Sequence, residues 1–185
     1  MEFEKDLAFF CGPALAGIKP ACLLSCCRQN YPNFYAMVAE YNGSLLKCGI
    51  RISILCDCDQ RSLLLVYREG RLQNQLASPE VSRLLRAVGY PIQSGLPMML
   101  EFLSFRIRNQ AEFPHEIGLF LGYPVADVLG FLENRGKNYR YCGHWKVYSD
   151  VDKAKRTFAQ YDRCRSAICR RIGEGCSIQR LFTAC

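Results

Sequence analysis

Residues Ile50 to Arg68 read IRISILCDCDQRSLLLVYR. Ile50, Ile52, Ile54 and Cys56 alternate with Arg51, Ser53, Leu55 and Asp57. A period of two turns one strand face inward and the other outward, so this is a half-buried strand. The polar run Asp57-Cys58-Asp59-Gln60-Arg61 then turns the chain, and Ser62–Arg68 is a second strand. The pair predicts an antiparallel hairpin.

Helical patterns flank it on both sides. Upstream, Glu4–Cys11 reads as a short helix stopped by Gly12-Pro13, and GPALAGIKPACLL as an apolar loop with sharp turns. Pro32 can open a second helix, with Phe34, Val38, Tyr41, Leu45 and Cys48 on one face and Gly49 as its left-handed cap. Downstream, Ser78-Pro79 and Ser94 open two more, the latter with Leu96, Leu100, Leu103 and Ile107 on one side. The tetrads Val88–Pro91 and Leu121–Pro124 both read apolar-Gly-Tyr-Pro, a shared capping chemistry in which glycine ends one helix and proline begins the next. His144–Tyr148 alternates around Trp145 and Val147 and predicts a third strand. Asp150 or Asp152 caps a long helix with Ala154, Phe158, Tyr161, Ile168 and Ile172 on its core face. The expectation is a single α+β domain over residues 1–185. Its sheet is small and mostly antiparallel, about three strands, packed by several helices that include a helix-turn-helix-like corner.

Composition bounds the function. The chain has 185 residues, 50% hydrophobic and 22% charged, which suits one globular core. Glu2, Glu4 and Asp6 make the start unlike a secretory signal, and no uncharged apolar run approaches the ~20 residues of a membrane helix. A cytoplasmic protein without a membrane partner is expected. In that compartment twelve cysteines read as reduced thiols, ligands or a nucleophile rather than disulfides. Net charge is +7, and residues 135–180 hold twelve Lys or Arg against four acidic residues. That basic surface suits an anionic small molecule, an acidic protein partner or nucleic acid.

The run FPHEIGLFLGYPVADVLGFLENRG (113–136) carries the first candidate site. Gly118, Gly122, Val128 and Phe131 fit a helix-turn-helix pattern. However, Pro124, Val125, Ala126 and Asp127 are the wrong residues to reach base edges, and Asp127 and Glu133 would repel phosphates. A packed corner is therefore expected, with nucleic acid not favoured. His115 and Glu116 in the first turn could meet an anion; in the plainer alternative Glu116 complements the helix dipole and His115 bonds a carbonyl. Cys11, with Lys19 or His115 nearby, would make a catalytic thiolate, and Cys11–His115–Glu116 has the residue types of nucleophile, base and orienter. Adjacent residues point apart on a helix, which weakens Glu116 in that role. Cys56 and Cys58 lack a second tight cysteine pair, so no metal site is assigned.

HEIGLFLGYPVADVLGFLEN, CGHWKVYSD, Phe158-x-x-Tyr161-x-x-Cys164 and the opening CGPALAGIKPACLLSC together resemble an uncharacterised bacterial family, domain of unknown function 3793, found mainly in anaerobic Firmicutes. The resemblance spans nearly the whole chain. It implies no activity, fold or cofactor, but it implies a shared polar set of Cys11, Lys19, His115, Glu116, Lys146 and Tyr148, with Tyr123 and Trp145 beside them. Cys56 and Cys58 fall outside the shared motifs. If the set converges, it forms a basic pocket for an anionic small molecule, cofactor or acidic partner. Anaerobic hosts and many cysteines add a link to redox or metal metabolism. A cysteine-dependent enzyme using Cys11 with His115 or Lys19 is the alternative, and a nucleic-acid binder through the basic C-terminal helix is a third.

Overall fold

A computed structural model describes residues 2–58 and 60–183. The fold is α+β, and the chain divides into two compact units, Met1–Leu72 with Arg163–Cys185 and Gln73–Asp162.

The first unit holds α1 (Glu2–Leu15), β1 (Ala21–Cys27), α2 (Phe34–Leu45), β2 (Ile50–Asp57) and β3 (Arg61–Arg68). The three strands form an antiparallel sheet in the order β1-β3-β2. The hairpin thus forms as expected, with one departure. Ile54 faces Leu64 and Cys56 faces Leu63, so Leu55 is an extra residue in a bulge and turns inward, fully buried. A bulge resets the alternation, which is why the strict two-residue pattern fails beyond Ile54. The edge strand β2 is covered by α2, where Asn42 exchanges two 2.8 Å hydrogen bonds with the Ile52 backbone.

Two expectations on the first 27 residues are corrected. α1 does not stop at Gly12-Pro13 but runs to Leu15, with Pro13 inside it. Proline removes one donor, toward the carbonyl of Phe9, and so near the helix end costs little ladder. The helix closes at Gly17, φ 73°, where Gly17 N–H bonds Ala14 O at 3.0 Å and Ile18 N–H bonds Pro13 O at 3.0 Å. That is the two-bond glycine cap. Arg68 lies against the same glycine and donates to Leu15 O at 2.7 Å and Cys48 O at 3.0 Å, tying both turns to β3. The second correction is β1 itself, a sheet strand where a loop was expected.

Leu24, Ile50, Ile52, Leu64 and Val66 pack in one cluster with Phe3, Leu7 and Cys11 of α1 and with Phe34, Val38, Tyr41 and Leu45 of α2, the predicted face of that helix. Glu4 is buried and accepts Ile178 N–H at 2.9 Å, capping the start of a short helix at Ile178–Thr183.

The second unit is mostly helical. α3 (Glu69–Ala77) leads into it, followed by α4 (Pro79–Ala87), α5 (Gly95–Asn109), α6 (Ile117–Phe120) and α7 (Val125–Glu133). Both Gly-Tyr-Pro corners use the same cap: Tyr90 N–H bonds Leu85 O at 3.0 Å and Tyr123 N–H bonds Gly118 O at 2.9 Å, with Gly89 and Gly122 at positive φ. The expected third strand shrinks to a two-residue ladder, β4 (Tyr141–Cys142) against β5 (Lys146–Val147). α8 (Val151–Gly173) starts at Asp150, whose carboxylate accepts Lys153 N–H at 2.9 Å. Its residues Ala154, Phe158, Tyr161, Ile168 and Ile172 are buried, as the spacing predicts. No helix among the described residues is long and apolar enough to cross a membrane.

Candidate functional site

α6, α7 and the β4–β5 hairpin wall a half-open cavity of about 270 Å³ in the second unit. His115, Tyr123, Trp145 and Lys146 line it, together with Ile117, Gly118, Asp127, Val128 and Phe131. The wall is almost wholly apolar. Gly118 lets α6 and α7 close on each other: a Cβ there would stand 2.9 Å from Val128 Cγ2 and 3.0 Å from Tyr123 Cδ2.

One carboxylate holds the hairpin wall. Asp127, 2% exposed, accepts the Trp145 indole N–H at 2.7 Å on Oδ2. Its Oδ1 accepts Tyr148 N–H, Ser149 N–H and the Ser149 hydroxyl, each at 2.8 Å. Four donors offset the cost of burying the charge. Asp127 is therefore no surface acid repelling phosphates, as the sequence suggested, but the clamp between α7 and the hairpin. It also takes the N–H groups that would have continued the ladder beyond Val147, which accounts for the shortened strand. Gly130 makes the close approach feasible, since a Cβ would lie 2.5 Å from Tyr148 Cγ.

Aromatic rings shape the interior. Tyr123 and Trp145 stack with centroids 4.8 Å apart at 27°, and Trp145 stands edge-on to Phe158 at 4.4 Å. The exposed His115 ring lies 4.7 Å from Phe131. Lys146 Nζ donates to Gly136 O at 2.8 Å and sits 5.6 Å and 5.1 Å from the Phe131 and Tyr139 ring centres. An ammonium has three donors, so this bond uses one.

Of the eight residues picked from the sequence, His115, Tyr123, Trp145 and Lys146 meet at this cavity. Tyr148 borders it through the Asp127 clamp. Glu116 does not line it: its carboxylate is buried, 2.7 Å from Arg106 Nε and 2.9 Å from the Tyr90 hydroxyl. That environment suits an internal charge pair rather than a ligand contact, and it pushes the Tyr90 hydroxyl pKa up through burial and the adjacent Glu116 charge.

Cys11 and Lys19 belong to the other unit. Cys11 is wholly buried, and burial drives its thiol pKa well above the ordinary 9.0, with Cys22 adding to the rise and Lys19 opposing it. Lys19 is buried too, 7% exposed, and its ammonium lowers the Cys22 thiol against the larger effect of burial. The expected Cys11–Lys19 neighbourhood thus exists, with desolvation as the larger effect on the thiol and the Lys19 cation as a smaller, opposing one. Among the described residues no three His, Cys, Asp or Glu side chains gather as a metal site.

Asp127, Val128 and Phe131 were missed as pocket residues. The signal was there: Asp127 and Phe131 are four apart and share the inner face of α7. In the sequence Asp127 reads as an acid on the outside of a recognition-type helix, one that would repel phosphates, and that hid its role.

This is an α+β protein with a small aromatic-walled cavity beside a clamped hairpin. The family model described as "Protein of unknown function (DUF3793)" matches residues 7–182, and the chain belongs to that family. No curated protein and no solved structure matches it.

Proposed function

We propose that the protein binds a small, flat, apolar molecule bearing one anionic group, in the cavity of the second unit. The observation that carries this reading is the convergence of His115, Tyr123, Trp145 and Lys146 on one apolar space of about 270 Å³. That volume lies just below the usual range of ligand pockets, so the fit is to a compact aromatic acid rather than a dinucleotide. The ring of the ligand packs among Tyr123, Trp145 and Phe131, and its anionic group faces the Lys146 ammonium. Asp127 does not oppose this, because four donors already surround its oxygens.

Trp145 is the only tryptophan and lines the cavity, so it reports occupancy directly. The test titrates 2-naphthoate and its neutral amide into the full chain, by calorimetry and Trp145 fluorescence. Expected are one-to-one binding of the acid and about tenfold weaker binding in Lys146→Met, roughly 1.4 kcal/mol. The amide should be indifferent to that substitution, and Phe131→Ala should weaken both. Absence of saturable binding, or equal loss of acid and amide in Lys146→Met, would overturn the reading.

A further inference from the structure

We propose that Cys56 and Cys58 form a dithiol site that closes to an intramolecular disulfide by exchange with a low-molecular-weight disulfide. Their sulfurs stand 3.5 Å apart. Residues two apart on a strand project to the same side, which brings the two thiols together at the end of β2. Asp57, between them, projects to the other side and anchors the segment: Arg28 Nη1 lies 3.0 Å from Oδ1, the Tyr35 hydroxyl donates to Oδ2 at 3.0 Å, and the Ser62 hydroxyl donates to Oδ1. Cys58 N–H bonds Arg61 O at 2.8 Å. The pair is thus presented at a fixed spacing, and bond formation at about 2.05 Å needs the sulfurs to close by roughly 1.5 Å.

Exposure sets the order of events. Cys58 is exposed and Cys56 half-buried, whereas Cys11, Cys22 and Cys26 are buried. The Cys58 thiolate attacks a small disulfide RS–SR, forming a mixed disulfide and releasing RS⁻, which takes a proton. The Cys56 thiolate then attacks the Cys58 sulfur and expels the second RS⁻, which also leaves as RSH. Two protein thiols are oxidised by two electrons and one small disulfide is reduced to two thiols. The second step is intramolecular, so it outruns collision with another thiol.

The experiment exposes the fully reduced chain to oxidised glutathione, quenches with acid at intervals and maps peptides by mass. Cys142, exposed elsewhere in the chain, is the internal reference. The hairpin peptide should lose two hydrogens and carry no glutathione, while Cys142 keeps its adduct. In Cys56→Ser, glutathione should instead persist on Cys58. In Cys58→Ser, the hairpin peptide should stay unmodified at times when the wild type has closed. Persistent glutathione on Cys58 of the wild-type chain would overturn the proposal. Glutathionylation of Cys56 in Cys58→Ser at the wild-type rate would overturn the order of attack. Both substitutions are near-isosteric and outside the core, and unchanged circular dichroism confirms that the folds being compared are the same.

Discussion

The indole N–H of Trp145 and the carboxylate of Asp127, 18 residues apart, meet at 2.7 Å inside a buried wall. The same carboxylate holds the Tyr148 and Ser149 backbones, so one side chain fixes both the ring and the strand that carries it. Asp127→Ala should cost about 3–5 kcal/mol, because several buried donors are left unpaired at once. Urea unfolding followed by Trp145 emission measures this, and a loss below 1 kcal/mol would contradict the clamp.

Glycines make opposite predictions at two sites. At Gly130 a Cβ would fall 2.5 Å from Tyr148, so Gly130→Ala should destabilise by roughly 1–3 kcal/mol through overpacking. Much of that loss should return in a Tyr148→Ala background. At Gly43, inside α2, nothing lies within 4 Å of the added carbon. Gly43→Ala should therefore stabilise by about 0.5–1 kcal/mol. Chemical denaturation of the three variants reads both signs.

Buried thiols predict an alkaline limb of stability. Burial raises the pKa of Cys11 and Cys22, and raises that of Cys26 to about 12. A raised folded-state pKa means that the stabilisation is fully present below the unfolded value, near 9.0, and is lost as pH climbs from there toward the folded value. Each such thiol contributes a slope of up to about 1.4 kcal/mol per pH unit across that window. Urea titrations between pH 8 and pH 10.5 should show stability falling only above about pH 9, more shallowly in Cys26→Ala. The same burial should leave Cys11 unalkylated in the native state while Cys58 reacts.

Glu116 separates support from binding. Glu116→Gln leaves Arg106 buried against a neutral partner, which should cost about 3 kcal/mol. At temperatures where the variant is folded, its affinity for 2-naphthoate should match the wild type. A selective loss of affinity without loss of stability would return Glu116 to the ligand site.

Where a pattern depended on one element, the sequence disclosed it. The β2–β3 hairpin, the buried face of α2 and the inner face of α8 all follow from spacing. The Gly-Tyr-Pro corners follow from capping chemistry, and their hydrogen bonds are indeed the same pair in each. What escaped were features decided by a second element. ACLLSCC carries no clean alternation, and it becomes a strand because β3 offers it an edge. His144–Tyr148 alternates well, yet its ladder ends where Asp127 takes the next backbone donors. At the site, residue types alone grouped Cys11 with His115 and Glu116. Their surroundings differ: Cys11 is desolvated, Glu116 is buried beside Arg106, and of the three only His115 lines the cavity.

Ile168, Ile172 and Ile178 belong to the same apolar cluster as Leu7 and Leu24, although more than a hundred and forty residues separate them along the chain. Residues Gln73–Asp162, by contrast, are one uninterrupted stretch. During synthesis the stretch around the cavity is therefore complete while the three-stranded sheet still waits for its covering isoleucines. In that interval the apolar cluster that holds Cys11, Cys22 and Cys26 still lacks three of its members. The cluster around those thiols is thus completed later than the stretch that walls the cavity.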